Sequence, residues 1–178
     1  EREGIAPGAI RYFVHGTTLG VNTLLERAGA VTGLLVTRGF LDLLEIGRLR
    51  LPDPTNYTVE KIRPLVPRHL VREIGGRLLA DGSEYAPLDL AEVEQAASEL
   101  VAEGIGALAL CFMHAYQNGR HEQAAEKAIR DRFPSLYVCR SSSIWPQQRE
   151  YERGLITVIN AYVGRRMQRY FQRLQANM

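Results

Sequence analysis

Short β-branched and apolar runs alternate along this chain with stretches whose apolar residues recur every three or four positions. That alternation restricts the fold more than any other feature. Strands separated by helix-length segments pair in parallel, through crossovers that are right-handed. Residues 11–15 read as a first strand, and residues 18–28 as a helix carrying Leu19, Val21, Leu24, Leu25 and Ala28, stopped by Gly29. Residues 31–37 read as a second, buried strand, with a short helix over 40–46 behind it. A run over 71–80 reads as a strand ended by the Asp81-Gly82 turn, available for an edge hairpin. Asp89 with Glu92 opens a helix in the manner of a capping box, and Leu90, Val93, Ala97, Leu100 and Val101 line one face of it as far as Gly104. The most apolar strand follows over 106–112, then a helix over 120–133 and a strand over 136–139. The expected fold class is α/β, a mostly parallel sheet with flanking helices.

Two regions depart from this rhythm. Pro52, Pro54, Pro64 and Pro67 punctuate residues 50–70, which reads as a long surface excursion. At the other end, Ile159, Val163, Met167, Tyr170, Phe171 and Leu174 repeat every three or four residues along one helix from about 149 to 174. This long amphipathic helix exceeds what a small sheet needs as a cap, so its stripe is expected to dock a neighbouring domain or subunit. Residues 1–148 are therefore expected to form an α/β domain, and residues 149–178 a long C-terminal helix leading to a second domain absent from this chain. The opening on Glu1 rather than methionine fits a piece of a longer protein.

Composition excludes several classes. At 178 residues and 46% hydrophobic, the chain can bury roughly 70% of its unfolded surface without a disulfide or metal staple. The longest apolar runs, such as 107–113, fall well short of the ~20 residues of a membrane span. Residues 1–10 carry no apolar stretch behind a basic start, so a cytoplasmic setting is expected. Residues 140–178 hold seven arginines against Glu150 and Glu152, a balance of +5, whereas the first 139 residues balance at −3. With no nucleic-acid-binding signature in the tail, this reads as a solvated cationic helix face, and neither nucleic acid nor membrane is expected as a partner. Cys111 and Cys139 each sit in an apolar stretch and read as core residues.

Ligands of open α/β sheets gather at the carboxyl ends of the strands. The segments there are 15–18, 37–39, 114–121 and 140–143. In the first, His15, Gly16, Thr17 and Thr18 run from strand to helix, and two readings stand. Backbone N–H groups, the helix dipole and two hydroxyls suit an anion, or a threonine simply caps the helix. His114 and His121 flank Asn118-Gly119 without a carboxylate or thiolate pair, a poor metal signature. Glu150 and Arg153 are spaced for an i,i+3 pair at the start of the long helix.

Several motifs in order resemble the hydantoinase A / 5-oxoprolinase family: His-Gly-Thr-Thr-Leu-Gly-Val-Asn-Thr-Leu-Leu-Glu-Arg over 15–27, Gly-Leu-Leu-Val-Thr-Arg-Gly-Phe-Leu-Asp-Leu-Leu-Glu-Ile-Gly-Arg over 33–48, Leu-Val-Pro-Arg over 65–68, Cys-Phe-Met-His-Ala-Tyr-Gln-Asn over 111–118 with His121-Glu122, Arg-Glu-Tyr-Glu-Arg over 149–153, and Val-Ile-Asn-Ala-Tyr-Val over 158–163. The likeness spans about residues 10–165. Gly119 and Gly164-Arg165 stand where the family commonly has proline, and Leu19, Gly20 and Val21 also vary from its pattern.

The resemblance implies an actin-like, ribonuclease H-like ATPase architecture, with ATP and Mg2+ as cofactors and a small cyclic amide as substrate. The reaction implied is hydrolytic opening of a hydantoin- or 5-oxoproline-type ring after phosphorylation of the amide oxygen. The second half of the same protein and a B-type subunit or domain are the implied partners. Carried over by position, His15, Gly16, Thr17 and Thr18 face the phosphates or activated substrate, with Asn22 one turn behind. Arg48 neutralises an anionic group, and Glu150 with Arg153 lines an interdomain cleft. The family's glycine-rich phosphate segment with its aspartate is not recognised here, so the fragment alone is expected to be inactive. The alternatives are a subunit of an ATP-dependent ketone carboxylase, or a non-catalytic interaction module that uses the basic helix.

Overall fold

The computed structural model describes residues 12, 14–49, 53, 55, 56, 58 and 63–176. Its elements in chain order are α1 (Leu19–Leu25), β1 (Thr32–Thr37), α2 (Leu43–Ile46), β2 (Val71–Ile74), β3 (Arg77–Leu78), β4 (Glu84–Ala86), α3 (Leu90–Ala102), β5 (Ala107–Cys111), α4 (Arg120–Arg132), β6 (Tyr137–Arg140), α5 (Ser141–Ile144) and α6 (Glu150–Ala176). Four strands form one sheet in the order β2-β1-β5-β6, and every neighbouring pair is parallel. The chain moves from β1 out to β2, then returns past β1 to β5. The direction of winding therefore reverses between β1 and β5, which creates a switch point at their carboxyl ends.

Burial on both faces explains the near-continuous apolar runs of these strands. Leu34, Leu35, Val36, Leu108 and Leu110 are fully buried, each contributing about 1.5–3 kcal/mol relative to an exposed position. α3 and α4 pack side by side on one face. Asp89 caps α3 by accepting from the Ala91 N–H at 2.9 Å, as its position before Leu90 suggested. α6 covers the other face and runs against the strand direction. Gly154 lies beside Cys111 at the end of β5, Gly164 beside Tyr137 at the start of β6, and Arg165 beside Gly106 just before β5.

The α6 contact is built from small residues. Alternation along β5 turns Ala107, Ala109 and Cys111 towards the helix, which answers with Gly154, Val158, Ala161 and Gly164, all buried. A Cβ on Gly164 would lie 2.4 Å from the Tyr137 ring, so the helix approaches as closely as glycine permits. The stripe expected to dock a neighbour is a different face: Ile159, Val163, Met167, Tyr170 and Leu174 are only half-buried. Part of it carries α1, where Gly20 meets Met167.

Other expectations are revised. Of the opening strand expected over 11–15, residues 11 and 13 lie outside the described residues, while Tyr12, Val14 and His15 are in no strand and Tyr12 and Val14 are exposed. The strand expected over 71–80 is split: β2 joins the parallel sheet as an edge, and β3 turns through Asp81-Gly82 to pair antiparallel with β4. Gly76 causes the break, with φ at +89° and a Cβ position 2.9 Å from the Leu88 Cα, a place only glycine fits. In the proline-rich segment 50–70, residues 50–52, 54, 57 and 59–62 lie outside the described residues; Val66 and Leu70 are buried, and residues 68–70 make a single 3-10 turn. α5 was not foreseen.

The tight α6 contact gives a direct test. Gly164→Leu should lower the unfolding free energy by about 1–3 kcal/mol, the usual cost of overpacking, whereas Gly16→Ala, with open space around its Cβ position, should stay within about 0.5 kcal/mol of wild type. Urea unfolding midpoints of the two variants measure both.

Candidate functional site

The switch point between β1 and β5 is closed by backbone and side chain together. The Thr37 hydroxyl, at the end of β1, accepts from the Met113 N–H at 2.9 Å, which ties the two carboxyl ends. Beside it, Glu73 at the end of β2 accepts from the Gly39 and Leu41 N–H groups at 2.7 and 3.2 Å. Between Glu73 and the 39–47 segment lies a groove of about 550 Å³, walled by Phe40, Leu41, Leu43 and Ile46. Concave, mostly apolar walls with a few polar groups are the usual character of a small-molecule site.

Beneath this edge runs a buried ionic network. Glu122, on the first turn of α4, accepts from the Phe112 N–H at 2.9 Å, the Ser141 hydroxyl at 2.6 Å and the Ser142 N–H at 2.7 Å. Burial pushes its carboxyl above the ordinary value, against the pull of those three donors. Arg153, fully buried on α6, donates to the Ser141 Oγ at 3.0 Å, the Phe112 carbonyl at 2.8 Å, the Gln147 carbonyl at 3.1 Å and Glu150 at 3.2 Å. Its guanidinium also stacks 5.5 Å from the Tyr116 ring centroid. The i,i+3 pair read from the sequence is therefore formed, and the donors of Arg153 are used inside the protein. Its role is to hold the edge together, with no face presented to a ligand.

Arg48 reaches the same edge from the end of the 39–48 segment and donates to Glu152 at 2.6 Å, while its side chain stays 44% exposed. The His114 N–H donates to Glu150 at 3.4 Å, with His114 in the left-handed region at φ +57°. His114 Nδ1 and Glu152 Oε2 are buried polar atoms without a hydrogen-bond partner among the described residues. His121 instead meets Glu84 at 3.3 Å. No three His, Cys, Asp or Glu side chains gather to hold a metal ion among the described residues.

The remaining predicted residues lie elsewhere. His15, Gly16, Thr17 and Thr18 are exposed, at the far end of α6, where His15 bonds the Tyr170 hydroxyl. The Thr17 Oγ1 accepts from the Leu19 N–H at 3.2 Å, and Asn22 Nδ2 donates to the Thr18 Oγ1 at 3.4 Å. Thr18 makes no side-chain cap bond itself. From Arg153 to Tyr170 the helix rises roughly 25 Å, at 1.5 Å per residue. Thus Arg48, Glu150 and Arg153 come together at the carboxyl edge, and residues 15–18 with Asn22 sit apart from them. Glu122 and Ser141 were not singled out as site residues, although the His121-Glu122 motif and the 140–143 loop had been noted. Cys111 and Cys139 are buried as expected.

Removing the Ser141 hydroxyl leaves Arg153 Nε and one Glu122 oxygen short of a partner. Ser141→Ala should therefore cost about 1–3 kcal/mol, and Arg153→Met at least as much, because the Phe112 and Gln147 carbonyls and the Ser141 hydroxyl all lose their donor. The double variant should fall short of the sum, since both act on one network. Denaturant titration of the three variants supplies the cycle. Burial also pushes both thiols up to about 12, so roughly one thiol in ten thousand is ionised at pH 8. The native chain should resist a thiol reagent at that pH and react fully once unfolded.

Most of the chain has recognisable relatives. Caprolactamase subunit alpha of Pseudomonas jessenii is 41% identical over 165 residues, covering 92% of this chain and 24% of that protein. The acetophenone carboxylase gamma subunit of Aromatoleum aromaticum is 32% identical over 172 residues, covering 89% of this chain and 23% of that protein. The crystal structure of the ATP-dependent caprolactamase from Pseudomonas jessenii superposes with a TM-score of 0.84 at 40% identity, over 92% of this chain and 24% of that one. The chain spans about a quarter of the length of these relatives. No helix among the described residues is long and apolar enough to cross a membrane. Residues 1–133 match the hydantoinase/oxoprolinase N-terminal region, and the chain belongs to that family.

Proposed function

We propose that this chain is the first α/β region of an enzyme that opens a cyclic amide at the expense of ATP. The observation that carries this reading is the likeness to the ATP-dependent caprolactamase, at 40% identity over 92% of the chain. A lactam is a poor electrophile, because nitrogen donation stabilises its carbonyl. ATP, when bound, would supply a phosphoryl group that activates the amide carbon towards water, after which the ring C–N bond breaks, the nitrogen leaves as an amine and phosphate is released.

The described residues do not make a complete nucleotide or metal site. The Thr17 hydroxyl already accepts from Leu19, α1 is only two turns long, and among the described residues no His, Cys, Asp and Glu side chains gather for a metal ion. Most of the nucleotide site is accordingly assigned to the rest of the protein. What this chain contributes is the switch-point edge. The groove beside Glu73 offers apolar walls to a ring, and Arg48, half-exposed, offers positive charge. The turn 15–18 and Asn22 can meet a phosphate or activated substrate only where a second wall comes from the rest of the protein. Residues 149–178 would lead towards that remainder, and a B-type partner subunit fits the same reading.

A second reading is a subunit of an ATP-dependent ketone carboxylase, favoured by the 32% identity to the acetophenone carboxylase gamma subunit. Phosphate release by the full-length protein with its partner separates the two. Caprolactam, hydantoin or 5-oxoproline should stimulate release at least tenfold, and the isolated 178-residue chain should release none. Stimulation by acetophenone with bicarbonate, and by none of the lactams, would establish the carboxylase instead.

A further inference from the structure

The groove beside the switch point holds a carboxylate that is only half used. Glu73 lines it together with Phe40, Leu41, Leu43 and Ile46. One oxygen, Oε1, accepts from both the Gly39 and the Leu41 N–H, at 2.7 and 3.2 Å. Gly39 makes that possible: its φ of +92° turns the chain so that N–H groups two residues apart converge on one anionic oxygen, in the manner of a backbone nest. Nothing lies within 4 Å of where a Cβ on Gly39 would stand, so this turn faces open space. The second oxygen of Glu73, Oε2, accepts from no group among the described residues. Nor does any arginine, lysine or histidine form an ion pair with Glu73 among them.

The charges around it are otherwise committed. Asp42, the other acid lining the groove, accepts from Arg68 at 2.5 and 3.3 Å. Arg77 lies over the Phe40 ring, 6.0 Å from its centroid. A small molecule entering the groove therefore meets aliphatic and aromatic walls and one fixed, negatively charged acceptor. That combination suits a neutral ring that offers an N–H, because an N–H donated to a carboxylate is a charge-assisted bond. It disfavours a ring that brings a negative charge of its own, since apolar walls screen like charges poorly.

We infer that Glu73 selects the substrate: its Oε2 accepts the ring N–H of an uncharged lactam, the apolar walls take the ring methylenes, and a ring amide bearing a carboxylate is turned away by charge. This selection rests on the lactam reading above and narrows it from cyclic amides in general to neutral ones. Glu73 here binds and excludes, and no bond to it forms or breaks. Its two oxygens divide the work, one fixing the 39–41 turn and the other facing the ligand.

Two matched substrate pairs isolate the charge: 2-pyrrolidinone against 5-oxoproline, and caprolactam against caprolactam carrying a carboxylate on the carbon beside nitrogen. Phosphate release by the full-length protein with its partner subunit should give the neutral member of a pair a kcat/KM at least about tenfold higher. Glu73→Gln is the matching variant. Its amide oxygen can still accept from Gly39 and Leu41, while its amide nitrogen puts a donor where the unused oxygen stood. In this variant the preference should shrink at least about fivefold, with KM for the neutral lactam rising about tenfold and kcat nearly unchanged. A loosened 39–48 segment would weaken both members of a pair alike, so the ratio separates selection from a purely structural role. Equal or better use of the carboxylate-bearing rings, with Arg77 as their partner, would overturn the inference and leave the lactam reading standing. A ratio unchanged in Glu73→Gln would do the same. Release that answers to acetophenone with bicarbonate and to no lactam would remove both.

Discussion

One serine hydroxyl bridges two buried ionisable side chains that come from different helices. Ser141 donates to Glu122 and accepts from Arg153, and through them it links α4, α6, the start of α5 and the end of β5. Ions taken out of water are costly unless every polar atom is met, and here backbone groups of Phe112, Ser142 and Gln147 meet those that remain. The network matters because the rest of the α6 contact is smooth. Glycine, alanine and cysteine surfaces attract by dispersion and burial, which hardly depend on a small slide along the helix. Directional bonds at one end set where along its length the helix stops.

Periodicity made most of the architecture legible. Strands buried on both faces read as unbroken apolar runs, and α3 declared itself by its capping aspartate and its spaced leucine and valine positions. Failures fell where local pattern and partner availability part. Tyr12, Val14 and His15 have strand-like chemistry, yet none of the three belongs to a strand. The 71–80 run was read across Gly75-Gly76, whose backbone turn outweighs the propensity on either side. For α6 the reading fixed on large apolar residues and so found its outer face. The face that meets the sheet is made of glycine and alanine, which contribute almost nothing to a hydrophobic pattern.

Site residues divided along similar lines. Glu150 and Arg153 are three apart, and spacing alone announces such a pair. Glu122 and Ser141 are nineteen apart and meet only because α4 returns the chain to the carboxyl edge; nothing in local spacing could join them. Residues 15–18 read as a strand-to-helix turn, but without the strand they lie at the opposite end of α6 from Arg48. A functional surface shared between two ends of one helix asks for walls from elsewhere, which agrees with a chain spanning about a quarter of its relatives' length.

The mechanical standing of α6 follows from its uneven support. As a 27-residue helix it is a rod of roughly 40 Å, seated on the sheet over its first half and carrying α1 on its second through Met167 and Tyr170. A tilt of about 5° at the seat would sweep the far tip through roughly 1.5 Å, given the ~18 Å that extend past Gly164 at 1.5 Å per residue. A small disturbance where β5 and β6 end is thereby transmitted as a displacement of similar size beyond the other end of the strands, so the rod can serve as a lever between the two ends of the fold.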